Sequence, residues 1–327
     1  MKSIKPIISN QIAIEEITDA CQKDFRSYIL NFFELEFAWF YNCYSTFKDF
    51  DKYIVLVYLI NKTLSTYNKH LYKLTFDEFY NSKTIEIEKI SIIDIVRDLN
   101  LSKETARRKL NEMTAQNILI REKKKIIINQ DAFEYQKPKI TIKNLSKALA
   151  HIAKHLKSLR RDLSQSYIEN EIKKNFTHYW NTFLNFQINY LLRSKRVYQN
   201  YENLYVAGVC ALNATYNYRN LTSNEKTSDN KKNVSLSFEN FVPELINLTL
   251  EQSKGLNPTT ISELTRVPRA SVIRKLGDLQ KMGLIQKNEN NLYSFPTDPQ
   301  KLKFTKLSEN NHENFREMAK DLINFML

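Results

Sequence analysis

The sequence predicts a mainly α-helical protein of two related halves, each closing on a small β-hairpin. Three observations lead there. The 327-residue chain holds only four glycines, Gly208, Gly255, Gly277 and Gly283, too few for a turn-rich β fold or a glycine-rich phosphate loop. All but one of the seven prolines lie beyond residue 137, so long stretches are free to run as helices. And one phrase recurs: "LSKETARRKLNEMTAQNIL" from Leu101 returns as "VPRASVIRKLGDLQKMGLI" from Val267. Hydrophobic residues at 42% and aromatics at 12% supply enough apolar surface for two ordinary cores.

The recurrence extends past that phrase. Arg108-Lys109-Leu110 falls on Arg274-Lys275-Leu276, Met113 on Leu279, and Asn117 on Gly283. At the same spacing Leu149, Ile152, Ala153, Leu156 and Leu159 fall on Phe315, Met318, Ala319, Leu322 and Phe325. Upstream the spacing shortens in steps: "LTFDEF" at Leu74 matches "LSFENF" at Leu236, and "YIVLVYLIN" at Tyr53 matches "YVAGVCALN" at Tyr205. The polar run from Leu221 to Ser235 absorbs the difference, with the composition of a surface loop. Anchors that keep their order while their spacing changes in steps point to one unit duplicated and then separated by insertions. The expected domains are 1–165 and 166–327.

Taken in order, the first half opens with a long helix over Phe25 to Ser45, crowded with Phe32, Phe33, Phe37, Trp39, Phe40 and Tyr41. Ile92, Ile95, Val96 and Leu99 have helical spacing. Asn100 can take the left-handed turn that follows, Leu101 plugs it, and Ser102 is a good N-cap for the next helix. In that helix Ala106, Leu110 and Met113 face inward, leaving Ser102, Lys103, Glu104, Arg107, Arg108 and Asn111 outward. This is a helix-turn-helix over about 91–116. A wing over about 118–129 follows: strand Ile118–Glu122, a tip of Lys123, Lys124 and Lys125, and strand Ile126–Asn129. An arm helix over about 143–163 carries the stripe Leu145, Leu149, Ile152, Leu156, Leu159 and Leu163.

The second half repeats the plan, with Tyr179, Trp180, Phe183, Phe186 and Tyr190 in its arm. Its helix-turn-helix spans about 259–282, begun by Ile261 and Leu264, plugged by Val267, with Pro268 at an early helical position. Val272, Leu276 and Leu279 face inward; Arg269, Ala270, Ile273, Arg274 and Lys275 face outward or sideways. Gly283 caps the helix, a wing covers about 284–295 (Leu284 to Lys287 and Leu292 to Phe295), and a C-terminal arm helix covers about 311–326.

The pattern I-x5-[VL]-[SP]-[KR]-x-[TS]-[AV]-x-R-K-L, closing on [GN]-[LI]-[IL], resembles the winged helix-turn-helix of bacterial transcription regulators, MarR-like ones included. The resemblance covers about 40 residues in each half. It implies that the second helix reads the DNA major groove and that the wing touches the minor groove or backbone. It also implies that the long helices are dimerisation arms, here fused so that one chain makes an intramolecular pseudo-dimer. Residues at the expected DNA contact are Ser102, Lys103, Arg107, Arg108, Lys109, Lys123, Lys124 and Lys125, then Arg269, Ser271, Arg274 and Lys275.

Charge supports a DNA partner. Formal net charge is +13, and the basic residues gather on the first reading helix and wing tip, where only Glu104 and Glu112 interrupt them. The second wing, around Asn288-Glu289-Asn290-Asn291, is less basic. The expected function is a sequence-specific, double-stranded DNA-binding transcriptional regulator, a monomer acting as a pseudo-dimer. A replication initiator with tandem winged helices and a protein-docking scaffold are the alternatives. No nucleophile elbow, phosphate loop or paired-carboxylate motif is present, so neither an enzyme nor a cofactor is expected. His151 and His155 are four apart but lack a zincin motif and read as a surface pair. Cys21, Cys43 and Cys210 read as packed hydrophobes in a reducing cytoplasm, and a small-molecule effector among the aromatics stays open.

Overall fold

The computed structural model describes residues 11–82, 84–87, 90–122, 125–129, 137–159, 161–224, 255–294 and 305–327. The first half runs α1 (Ile14–Lys23), α2 (Phe25–Phe47), α3 (Phe50–Lys69), α4 (Phe76–Asn81), β1 (Thr84–Ile87), α5 (Ile92–Leu99), α6 (Lys103–Ala115), β2 (Leu119–Glu122), β3 (Lys125–Asn129) and α7 (Lys139–Ala153). The second runs α8 (Gln165–Lys174), α9 (Phe176–Tyr198), α10 (Tyr201–Asn224), α11 (Pro258–Thr265), α12 (Arg269–Lys281), β4 (Gln286–Lys287), β5 (Tyr293–Ser294) and α13 (Thr305–Met326). The protein is mainly helical, with a small three-stranded sheet beside the first helix-turn-helix. Among the described residues no helix is long and apolar enough to cross a membrane.

Packing between the halves is reciprocal. α2 lies against α10, and α3 against α9; α1 lies against α13, and α7 against α8. The helices that trade places match in length: α1 and α8 have 10 residues each, α2 and α9 have 23 each. Aromatic contacts obey the same exchange. Trp39 of α2 meets Phe183 of α9 edge-on at 5.4 Å, and Phe32 of α2 meets Tyr190 of α9 at 6.3 Å. Phe32 and Phe183 hold the same place in their helices, as do Trp39 and Tyr190.

Glu36 and Gln187 also hold the same place in α2 and α9, and they touch: Gln187 Nε2 donates to Glu36 Oε1 at 2.8 Å, both residues buried. Burial disfavours the charged carboxylate and pushes Glu36 up to about 8, despite the opposing hydrogen bond from Gln187. Among the described residues Glu36 Oε2 and Gln187 Oε1 have no hydrogen-bond partner, and a proton on Glu36 supplies the donor that these two acceptors need.

Four sequence expectations need correcting. The first wing is a three-stranded sheet in the order β1-β3-β2, because Thr84–Ile87 pairs antiparallel with Lys125–Asn129, with Ile85 opposite Ile128. The arm helix does not run to 163: α7 ends at Ala153, a turn follows, and α8 begins at Gln165. Leu156 and Leu163 are nevertheless buried, so the apolar spacing continued while the helix did not. Ser158 donates its backbone N–H and hydroxyl to Glu16, both at 2.7 Å, bonds that a straight helix would forgo. Third, Asp49 caps α3 through Lys52 N as Asn200 accepts from Asn203 N at the start of α10. This sets Phe50 opposite Tyr201 and Ile54 opposite Tyr205, one residue off the match that begins at Tyr53. Fourth, the second wing's strands are shorter than expected, and Phe295 and "LSFENF" lie outside the described residues. All three cysteines are buried; burial raises Cys21 and Cys210 to about 12 and Cys43 well above its usual value, as packed hydrophobes require.

The Glu36 site predicts a pH dependence. A carboxyl with a folded value of about 8 and an unfolded value of about 4.3 stabilises the fold fully below the lower value. That stability is lost as pH rises towards the upper one, by at most about 1.4 kcal/mol per pH unit. Thermal denaturation from pH 5 to 9 should show Glu36→Gln losing less stability than the wild type across this window. Parallel pH profiles for the two proteins would contradict the assignment.

Candidate nucleic-acid interface

Sequence-local signals build the first helix-turn-helix. Ser91 and Asp94 form a capping box at the start of α5. The helix stops at Asn100, which takes the left-handed conformation (φ 49°), and Leu101 is buried in the turn. Ser102 Oγ then accepts from Thr105 N at 3.0 Å and starts α6. At its far end Asn117 is again left-handed (φ 55°), and the Ile118 N–H returns to Met113 O at 2.9 Å, turning the chain into β2.

Helix α3 carries this unit. Asp98 of α5 accepts from Tyr58 at 2.7 Å, lies 3.2 Å from Lys62 and takes Arg97 at 2.8 Å. Burial alone would raise Asp98, but these three partners outweigh it and hold the carboxyl at about 2. Helix α6 is tied to the start of α3: Lys109 bonds the Asp49 carboxylate, and Lys52 lies 3.2 Å from Glu112. Glu112 is lowered, because the two lysines overcome its desolvation.

That tie corrects one expected contact. Lys109 is 5% exposed and turned into the body, away from solvent. Lys275 behaves alike, its side chain 13% exposed, with Nζ 3.1 Å from Asn200 Oδ1 and 3.7 Å from Glu202. The helical spacing explains both. Ala106, Lys109, Leu110 and Met113 form one i, i+3, i+4, i+7 stripe, and Val272, Lys275, Leu276 and Leu279 form another. The lysine sits inside each apolar stripe, and its long stem reaches a cap residue of the neighbouring helix.

What remains on the open face of α6 is Ser102, Lys103, Glu104, Arg107, Arg108 and Asn111, all exposed. No ion pair among the described residues occupies Lys103, Arg107 or Arg108. Sequence reasoning does not find Arg121. Its guanidinium leaves β2 beside the helix and donates to Asn111 Oδ1 at 3.3 Å, adding a third arginine to the same face. Strand alternation could have found it, since Arg121 shares a face with the buried Leu119 but lies one step nearer the wing tip. Lys125 belongs to β3, opposite Glu122, rather than to the tip; Lys123 and Lys124 lie outside the described residues.

Helices α11 and α12 make a second helix-turn-helix on α10. Asn257 caps α11, Arg266 takes the left-handed turn (φ 62°), and Val267 is buried in it. Tyr205 of α10 donates to Thr265 O at 3.2 Å. Thr265 fills the inward place expected of Leu264, which is 44% exposed. Arg269, Ala270, Ile273 and Arg274 are exposed and Ser271 is half-buried; Arg269 Nε is 3.1 Å from Thr259 Oγ1. Gly255 lets the chain approach β5: a Cβ there would stand 2.8 Å from Tyr293 O, where Leu256 and Tyr293 exchange two backbone hydrogen bonds.

Residues 86–129 match a DeoR-like helix-turn-helix domain. The match covers β1 from Glu86, both helices and both wing strands. This segment is therefore a DNA-binding helix-turn-helix, and DNA is the partner it implies. No curated protein and no solved structure shows a significant match.

Lys109 and Arg108 should separate cleanly in experiment. Lys109→Met leaves Asp49 short of its cation and should cost about 1–3 kcal/mol of stability, with DNA affinity per folded molecule nearly unchanged. Arg108→Ala should leave stability within about 0.5 kcal/mol and weaken DNA binding by about 1–3 kcal/mol if the arginine contacts a guanine edge. Thermal denaturation and fluorescence anisotropy read the two effects. Lys109→Met weakening DNA binding at unchanged stability would return that lysine to the interface.

Proposed function

We propose that the chain is a transcription regulator made by internal duplication of a MarR-like winged helix-turn-helix unit, and that it reads two unequal half-sites of duplex DNA as a single-chain pseudo-dimer. The observation that carries this reading is the reciprocal packing of α2 on α10 and α3 on α9, with Glu36 facing Gln187 between them. Further support comes from backbone positions that recur in order. Residues of positive φ stand at Lys48 and Gln199, at Asn100 and Arg266, and at Asn117 and Gly283. The two helix-turn-helix units match at 8 and 13 residues per helix, and each second helix is tied by a lysine to the cap residue of its carrier helix.

In this reading α6 and α12 enter successive major grooves about 34 Å apart. Arg107, Arg108 and Arg274 address base edges or flanking phosphates. Lys103 and Arg269 lead the two helices into the groove, with Ser102 and Ser271 beside them. Lys123, Lys124 and Lys125 meet phosphate at the wing, and Arg121 extends that contact towards α6. The protein works by binding alone, in the cytoplasm, with no catalytic step. Its reading faces differ, Lys103-Glu104 against Arg269-Ala270 and Arg107 against Ile273, so the preferred site is an imperfect inverted repeat. One observation favours a second reading for the second unit: Leu264 and Ile273 are 44% and 42% exposed there, apolar surface that suits docking of a protein.

Selection of bound sequences from random duplexes, followed by sedimentation of the complex, tests the proposal. One chain per imperfect inverted repeat is expected, and a complex needing two chains per site would overturn the pseudo-dimer. Alanine at Lys123, Lys124 and Lys125 together should weaken binding to all sequences. It should also flatten the slope of log affinity against log salt by about 0.9 for each phosphate no longer neutralised. An unchanged slope would remove the wing from the interface.

A further inference from the structure

We infer that Asp24, His151 and His155 form a binding site for one divalent transition-metal ion, with the chemistry of a two-histidine, one-carboxylate zinc site. One ligand atom from each residue lies within 4.8 Å of the other two. By spacing alone the two histidines read as a surface pair; both are in fact half-buried, and the fold brings Asp24 to them from 127 residues away. Asp24 stands between α1 and α2. His151 lies in the last turn of α7, and His155 in the turn after it, with the two rings 5.2 Å apart.

The surroundings hold these groups in place. Asp24 Oδ1 accepts from Ser27 N at 3.3 Å; Oδ2 stands 3.9 Å from His151 Nε2, which also lies 3.2 Å from the Asp24 carbonyl oxygen, a contact that a bound ion would replace. Lys23 Nζ binds the His155 carbonyl at 2.6 Å, and Glu16 grips Ser158 just beyond, so the turn that carries His155 is fastened to α1 at two points. Lys23 is thus spent on a carbonyl, and Lys154 is exposed to solvent. Two imidazoles with one carboxylate select zinc and its neighbours over magnesium or calcium, and three protein ligands leave a fourth position for water.

The corresponding places in the second half hold Asn175, Glu317 and Asp321, and Lys320 fills the space between the two acids as an ion pair. Among the described residues the site therefore occurs once. A bound ion would tie the start of α2 to the end of α7, two helices already packed together.

Titration of the full chain with zinc, followed by calorimetry, tests this; magnesium is the control ion. One zinc per chain is expected, with no uptake of magnesium. His155→Ala and Asp24→Asn should each weaken zinc binding by more than about tenfold, the least that losing even an outer-shell partner commonly costs. Asp24→Asn keeps an oxygen to cap α2, and circular dichroism of each variant in chelator confirms that it is folded. His70→Ala, far from the site in sequence and exposed, should bind zinc as the wild type does. Absence of stoichiometric zinc uptake by the wild type would overturn the proposal, as would uptake that survives both His155→Ala and Asp24→Asn unchanged.

Discussion

Helices α2 and α9 meet through Glu36 and Gln187, and much of the molecule is arranged around that contact. The two residues occupy the same place in helices of equal length, and they touch. Around it the large side chains are apolar and interlocked: Trp39 on Phe183, and Phe32 on Tyr190. Apolar packing of this kind supplies most of the driving force but little directional specificity. A buried polar pair is costly unless it is satisfied, and it therefore penalises any sliding of α2 along α9. Two glutamates here would put like charges or two carboxyls face to face; the Glu–Gln combination suits a pair of unlike halves within one chain.

From that contact the structure extends outward by carrier helices. α3 packs on α9 and carries α5 and α6; α10 packs on α2 and carries α11 and α12. Each helix-turn-helix thus rests on a helix that belongs to its own half in sequence and to the opposite half in packing. The repeated Arg-Lys-Leu triplet condenses this arrangement into three residues. The leucine joins the core, the lysine binds the carrier helix, and the arginine is left in solvent.

The same backbone plan presents different chemistry in the two halves. The open face of the first helix-turn-helix is arginine- and lysine-rich, and Arg121 extends it from the sheet. The second keeps Arg269 and Arg274 but places Ile273 and Leu264 in solvent. Where the first half gathers Asp24, His151 and His155, the second has an ion pair around Lys320.

The sequence alone determined the elements whose causes are local. The turns at Asn100 and Leu101, the Ser102 cap, the inward stripe of α6 and its exposed arginines were legible because capping, turn conformation and helical period act within a few residues. The recurrence of the Leu101 phrase at Val267 was legible for the same reason. Tertiary structure decided whatever depends on distant neighbours. Lys109 and Lys275 turn inward because the cap residues of α3 and α10 await them. The arm helix stops at Ala153 although its apolar spacing continues, because Glu16 engages Ser158 and Lys23 engages the His155 carbonyl. Strand β1 exists because β3 offers it an edge, which four residues of weak pattern cannot announce by themselves. The meeting of Glu36 with Gln187, and of Asp24 with two histidines, lies furthest from what a sequence can reveal: periodicity says which face of a helix is buried, but only the packed fold says what it is buried against.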